Sequence, residues 1–263
     1  KMTMKNTHQL LWFILIAIFS ISTGVYGQTE KFLGKGRVQA MQFSHDGEWL
    51  AIGTSAILEL YSTKTYQPVR MIETNVDAID FRPDGEEVTI ADGRVLRRFE
   101  VTTGRENGTL EGHENRISDV AYSPDGNLIA SIDERGVVRL WRRNGEMTTF
   151  REASSRFEFS LVFSPDGKRL IVGAFRLIEI WDVADAQPVS EWETDSRVTT
   201  LALHPDGMQL AVGTEGGFIE FWSLQTGERT AVIDGHDVEV DIPRPKVEVD
   251  SLAFSPDGRT LVA

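Results

Sequence analysis

The chain has 263 residues, 41% of them hydrophobic and 25% charged, so it is long enough to build one large domain around its own core. Its formal net charge is −13, and the first 27 residues carry only Lys1 and Lys5, so the remainder is more acidic still. Charge of that sign works against binding nucleic acid or anionic membrane, and the lack of cysteine excludes disulfides, thiolate metal sites and a cysteine nucleophile.

The amino terminus runs from the basic residues Lys1 and Lys5 into the apolar stretch LLWFILIAIF (Leu10–Phe19) and then the small-residue stretch SISTGVYG before Gln28. The apolar run is about half of the roughly 20 residues a membrane-spanning helix needs. The order of segments predicts a secretory signal peptide over 1–27, cleaved after Gly27, and hence a secreted or periplasmic protein with no stable membrane insertion after cleavage. An uncleaved anchor is the competing assignment.

The rest of the chain repeats. FSHDG (43–47), FRPDG (81–85), YSPDG (122–126), FSPDG (163–167), LHPDG (203–207) and FSPDG (254–258) place glycines at spacings of 38, 41, 41, 40 and 51 residues. A period near forty residues is the mark of a solenoid or propeller, in which each unit buries its faces only against its neighbours.

Within the third unit, RISDVAY (116–122) alternates as a strand should and SPDG supplies a tight turn. NLIASI (127–132), VVRLW (137–141) and EMTTF (146–150) read as second, third and fourth strands. The same four segments recur in the first and fifth units, and no helix of useful length follows Gly27. The reading divides 28–263 into units over 37–75, 76–115, 116–155, 156–196, 197–246 and an incomplete 247–263.

Third strands close with RLW, EIWD and EFW at Trp141, Trp181 and Trp222, and Gly-His pairs stand at Gly112-His113 and Gly235-His236. With the Pro-Asp-Gly turns, these residues resemble the tryptophan-aspartate (WD) repeat family over about Phe32–Ala263. The resemblance implies an all-β propeller of four-stranded antiparallel blades. Five complete blades and a partial sixth are present, and six to eight are expected in the intact protein. It also implies a buried network of histidine, serine or threonine, tryptophan and an aspartate six residues before that tryptophan. Those positions hold Ser55, Gly93, Arg135, Phe175 and Gly216 here, with Asp92 and Asp133 nearby. These two aspartates leave a substitute network open in blades two and three only, and the departure predicts weaker cross-links within blades, offset by apolar packing such as Val137, Leu140 and Trp141.

EKFLGKG (30–36) fits a closing fourth strand, and the last unit stops inside its second strand, which together predict a fragment of a longer reading frame. The histidines show no metal-ligand spacing: His8 lies in the signal segment, His45 and His204 in turns, His113 and His236 in linkers. Aspartates recurring at every turn are turn chemistry rather than paired catalytic carboxylates. The reading is therefore a non-catalytic interaction scaffold without cofactor or metal. The alternatives are a secreted propeller enzyme of lactonase or quinoprotein type, the sensor domain of a larger enzyme, and an envelope adaptor like the Tol-type propellers.

Six residues before the end of each first strand stand Arg37, Asn75, Arg116, Phe157, Arg197 and Glu248, with Arg156 one place earlier in the fourth unit. In the family this edge faces the surface where partners dock. Arg37, Arg116, Arg156 and Arg197 are thus the expected partner-binding residues, forming a positive patch for a protein or peptide with an acidic segment. The competing view is that they are solvated loop charges. The insertion HDVEVDIPRPKVEVD (236–250), stiffened by Pro243 and Pro245, reads as a lid, a contact arm or a variable loop.

Overall fold

The computed structural model describes residues 37–151, 159–234, 248–255 and 257–263, and among these there is no α-helix. The proposed signal segment, the closing strand at 30–36, Arg156, His236 and most of the 236–250 insertion lie outside the described residues.

Blade one consists of β1 (Val38–Phe43), β2 (Trp49–Thr54), β3 (Ile57–Ser62) and β4 (Gln67–Glu73). Blade two is β5 (Ala78–Phe81), β6 (Glu87–Asp92), β7 (Val95–Glu100) and β8 (Glu106–Glu111), and blade three is β9 (Ile117–Tyr122), β10 (Leu128–Asp133), β11 (Val138–Arg142) and β12 (Met147–Arg151). Blade four is β13 (Phe159–Phe163), β14 (Arg169–Ala174), β15 (Leu177–Asp182) and β16 (Gln187–Glu193). Blade five is β17 (Val198–Leu203), β18 (Gln209–Thr214), β19 (Phe218–Ser223) and β20 (Arg229–Asp234), and the short pair β21 (Ala253–Phe254) and β22 (Leu261–Val262) begins a sixth. Every complete sheet is an antiparallel meander, and the first strands pack against one another in sequence order, the arrangement of a β-propeller.

The turn after each first strand shows why the motif recurs. Ser44 Oγ donates to Asp46 Oδ1 (2.5 Å) and accepts from the Trp49 amide (3.0 Å), while Asp46 Oδ1 also accepts from the Glu48 amide (2.9 Å). Gly47 holds the left-handed φ of 70° that closes the loop. Ser123 with Asp125, Ser164 with Asp166 and Ser255 with Asp257 repeat the geometry. Blade two substitutes Arg82, whose Nε donates to Asp84 Oδ1 at 2.7 Å, and blade five substitutes His204, 2.8 Å from Asp206.

The core lies between blades. One buried cluster joins Leu140 and Phe150 of blade three to Phe163 and Val172 of blade four, and others join Leu60 to Phe81 and Leu210 to Ile178. Second-strand glycines permit the close approach. A Cβ on Gly173 would stand 2.6 Å from Val198 Cγ1, and one on Gly213 would stand 2.7 Å from Val249 Cγ1.

The first strand of each blade is a sheet edge, so its outward N–H groups need acceptors from elsewhere. Asp80 accepts from the Phe81 amide (2.8 Å) and from Tyr122 N of the next blade (2.7 Å). Asp119 accepts from Val120 N (2.8 Å), from Leu161 N of the next blade (2.9 Å) and from Ser160 Oγ (3.1 Å), which in turn receives Leu201 N (3.3 Å). Burial pushes Asp80 up to about 7 and Asp119 up to about 6, against the lowering effect of these donors.

One expectation is overturned. Trp141 Nε1, which can only donate, gives its proton to Ser131 Oγ (2.8 Å), and the Ser131 hydroxyl turns to His113 Nε2 (2.7 Å). That leaves the proton on His113 Nδ1, 3.3 Å from Asp133 Oδ2. Blade three therefore has the full network, with Asp133 eight residues before the tryptophan instead of six. Burial alone would raise Asp133, but the bonds from His113 and from the Val137 and Arg135 amides hold it below the usual carboxylate range.

In blades one, four and five a buried glutamate two residues earlier on the same strand accepts the aromatic's polar hydrogen. Tyr61 Oη donates to Glu59 (3.1 Å), Trp181 Nε1 to Glu179 (3.0 Å) and Trp222 Nε1 to Glu220 (3.0 Å). Arg151 of blade three further clamps Glu179 through Nε at 2.9 Å. The Arg151–Glu179 bond thus adds a polar tie between blades three and four, while the same-strand bonds satisfy the polar atoms of the aromatics.

Candidate protein-interaction face

Two kinds of connection meet along one rim. The linkers from fourth to first strands meet the turns between second and third strands: Val76 N donates to Thr54 O (2.9 Å), Ile117 N to Gly93 O (2.7 Å), Val198 N to Phe175 O (2.6 Å), and Val249 N to Thr214 O (3.3 Å). Each bond joins the entry to one blade to the preceding blade's second-to-third-strand connection, tying the rim at four seams: one–two, two–three, four–five and five–six.

Of the expected arginines, Arg37, Arg116 and Arg197 are among the described residues and fall on this rim. Arg37 is exposed just before β1. Arg116 grips Asp77 of blade two with two bonds, Nε to Oδ2 (2.8 Å) and Nη2 to Oδ1 (2.5 Å), and Asp77 also accepts from the Gly93 amide (3.1 Å). The Arg116 side chain remains 53% exposed. Arg197 lies 3.3 Å from Glu215 in its own blade's turn. Three blades thus present the predicted arginines on one edge, two of them beside a carboxylate.

Sequence reasoning missed a second set. The turns between second and third strands in blades two, three and four carry Arg94, Arg135 and Arg176, all exposed. Arg176 Nε donates to Thr194 O (3.2 Å). Beside it Phe175 is 43% exposed and holds a φ of 52°, where the corresponding turns of blades two, three and five use Gly93, Gly136 and Gly217. The signal available was an arginine next to the turn residue in three consecutive units. The exposed acids Glu114, Glu134 and Asp195 share the rim, so its charge is mixed.

His113 is buried in the blade-three network and His204 packs edge-on against Phe254 with ring centroids 5.1 Å apart. Among the described residues, no three His, Asp or Glu side chains are grouped to hold a metal ion, and no helix is long and apolar enough to cross a membrane.

The profile of the WD domain, G-beta repeat, matches residues 104–142 and 186–223. WD repeat-containing protein sll1491 of Synechocystis sp., an uncharacterized protein, is 27% identical over 234 residues, covering 86% of this chain and 65% of its own length. WD repeat-containing protein slp1 of Schizosaccharomyces pombe is 23% identical over 236 residues, covering 85% of this chain and 47% of its own length. The chain thus spans about half to two thirds of these relatives. A chain from the crystal structure of the mitotic checkpoint complex superposes with a TM-score of 0.73 at 21% identity, over 85% of this chain and 73% of that one. The four-stranded blades and these matches together establish that the chain contains WD repeats and folds as a WD-type β-propeller.

Proposed function

We propose that the protein is a non-catalytic scaffold that binds protein or peptide partners, with an acidic segment seated against Arg37, Arg116, Arg156 and Arg197. WD-repeat proteins generally act as scaffolds for protein interaction, and that supports the class of function. The observation that carries the site is the convergence of Arg37, Arg116 and Arg197 from three blades on one rim of an acidic chain. Pairing with Asp77 does not disable Arg116. The guanidinium is half exposed, so a partner carboxylate can share it while the bonds to the buried Asp77 hold it oriented.

The test is a fluorescence-polarisation titration of the whole chain with a panel of Asp/Glu-rich peptides. Replacing all four arginines by alanine should weaken the best binder at least about tenfold, and salt should weaken it further. Affinity that ignores both changes would remove the arginines from the site. Export is the second part of the proposal, supported by the order of basic, apolar and small-residue segments over 1–27. Protein recovered outside the producing cell should begin at Gln28, whereas cell-retained protein with an intact amino terminus would contradict it.

A further inference from the structure

The outer strands of blades one and four share a pattern and differ at one telling position. β4 reads Gln67-Pro68-Val69-Arg70-Met71-Ile72-Glu73 and β16 reads Gln187-Pro188-Val189-Ser190-Glu191-Trp192-Glu193. Both slip one residue against the third strand at the same place, pairing Leu60 with Arg70 and Ile180 with Ser190. In blade one Arg70 reaches into the seam with blade two. Its Nη2 donates to Thr102 O (2.5 Å) and its Nη1 to Val69 O (2.6 Å), and a Cβ on Gly104 would stand 3.3 Å from its stem.

The seam between blades four and five repeats the receiving surface without the arginine. Leu224 N donates to Met208 O (2.9 Å) as Val101 N donates to Glu86 O (3.0 Å), and Gly227 (φ 71°) matches Gly104 (φ 72°), so Gln225 stands where Thr102 stands. Ser190 is too short to cross. A cleft of about 610 Å3 remains, with Asp166, Asp206, Val189, Ser190, Trp192 and Gln225 in its walls. The Gln225 carbonyl accepts no hydrogen bond among the described residues. Trp192, stacked on Trp222 at 5.9 Å between centroids, forms an aromatic wall, and Val189 is 52% exposed. Arg169 is also in the lining, but it is tied to Asp182 across its own strand pair. With that cation matched, Asp166 and Asp206 leave the cleft acidic.

The Trp192 indole lies on Gly227 where the Arg70 stem lies on Gly104, and we propose that the cleft beside it receives an arginine side chain from a basic peptide segment of a partner. The guanidinium donates to the Gln225 carbonyl and to the Asp166 and Asp206 carboxylates, and its planar face lies against Trp192. Asp166 and Asp206 belong to the turns after first strands, while the rim arginines belong to the linkers between blades. The two sites therefore recognise opposite charge and are independent.

The test follows the Trp192 indole N–H by NMR in the full 15N-labelled chain, assigned with Trp192→Phe. The probe is the tripeptide Ala-Arg-Ala, blocked at both ends, with its lysine and citrulline counterparts. The arginine peptide should shift the signal saturably with a Kd in the millimolar range. The lysine peptide should bind roughly tenfold more weakly and citrulline more weakly still, because neither offers a charged fork. Ser190→Arg should fill the cleft from within and abolish the response. Paired Asp166→Asn and Asp206→Asn changes keep oxygens that can cap the turns, and should weaken binding about tenfold. They decide the matter should Ser190→Arg fail to fold. No saturable shift, an equal response to lysine, or affinity unchanged in the asparagine pair would overturn the proposal.

Discussion

Ser131 joins Trp141 to His113, so one hydroxyl satisfies two otherwise buried polar atoms. Ser131→Ala leaves both without a partner, and a loss of about 2 to 3 kcal/mol in unfolding free energy is expected from urea titration. Sequence spacing offered Asp133 only as a substitute, because the family's aspartate is expected six residues before the tryptophan. Asp133 reaches His113 from the last residue of β10, a position set by a longer turn. The glutamates at 59, 179 and 220 were hidden differently. In ILELY, LIEIW and FIEFW an acid among apolar residues looks like ordinary strand alternation, and only the fold shows those positions buried.

Asp80 and Asp119 set the pH dependence of stability. Both hold their protons to higher pH when folded, about 7 and about 6, than the ordinary 3.8. The folded state therefore binds more protons in that interval, and stability falls as pH rises through it. Asp84, Asp125 and Asp166 are held below their ordinary value by capping bonds, set against burial, and their stabilisation is lost on strong acidification. His45, lowered by burial against the pull of Asp46, opposes the main trend near neutrality. The melting temperature should be higher at about pH 5 than at about pH 8, and Asp80→Asn should reduce that difference. A larger difference in the variant would contradict the assignment.

At the scale of elements, the turn between third and fourth strands shows how blades of one design diverge. Gly104, Gly145 and Gly227 occupy left-handed positions in blades two, three and five, while blades one and four place Tyr66 (φ 52°) and Ala186 (φ 53°) there. A side chain in that region costs about 1 kcal/mol, so Ala186→Gly should raise stability by about that amount in chemical denaturation. The strands themselves were legible because apolar alternation and Pro-Asp-Gly turns act locally. The contacts between blades were not. Gly173 sits in a second strand like any other small residue, and its need for glycine arises from Val198 in the next blade. Arg70 and Ser190 likewise read as unremarkable outer-strand residues until the neighbouring turn is placed beside them.

The whole molecule combines rigid inter-blade packing with a rim whose charged groups come from many units. The repeat period pointed to that architecture, since units of this kind bury their faces only on one another. Linker arginines could be found by counting back from each first strand. Those of the second-to-third-strand turns could not, because they share the rim only after the sheets form. The pairing of Arg116 with Asp77, 39 residues earlier, has the same origin.

Hydrogen–deuterium exchange of the whole chain, with and without the tightest-binding Asp/Glu-rich peptide, tests the interaction rim most directly. Protection is predicted in the segments around Arg116, Arg135, Phe175 and Arg197, with the Pro-Asp-Gly turns of the opposite rim unchanged. Protection confined to those turns, or none at the linkers, would contradict the account.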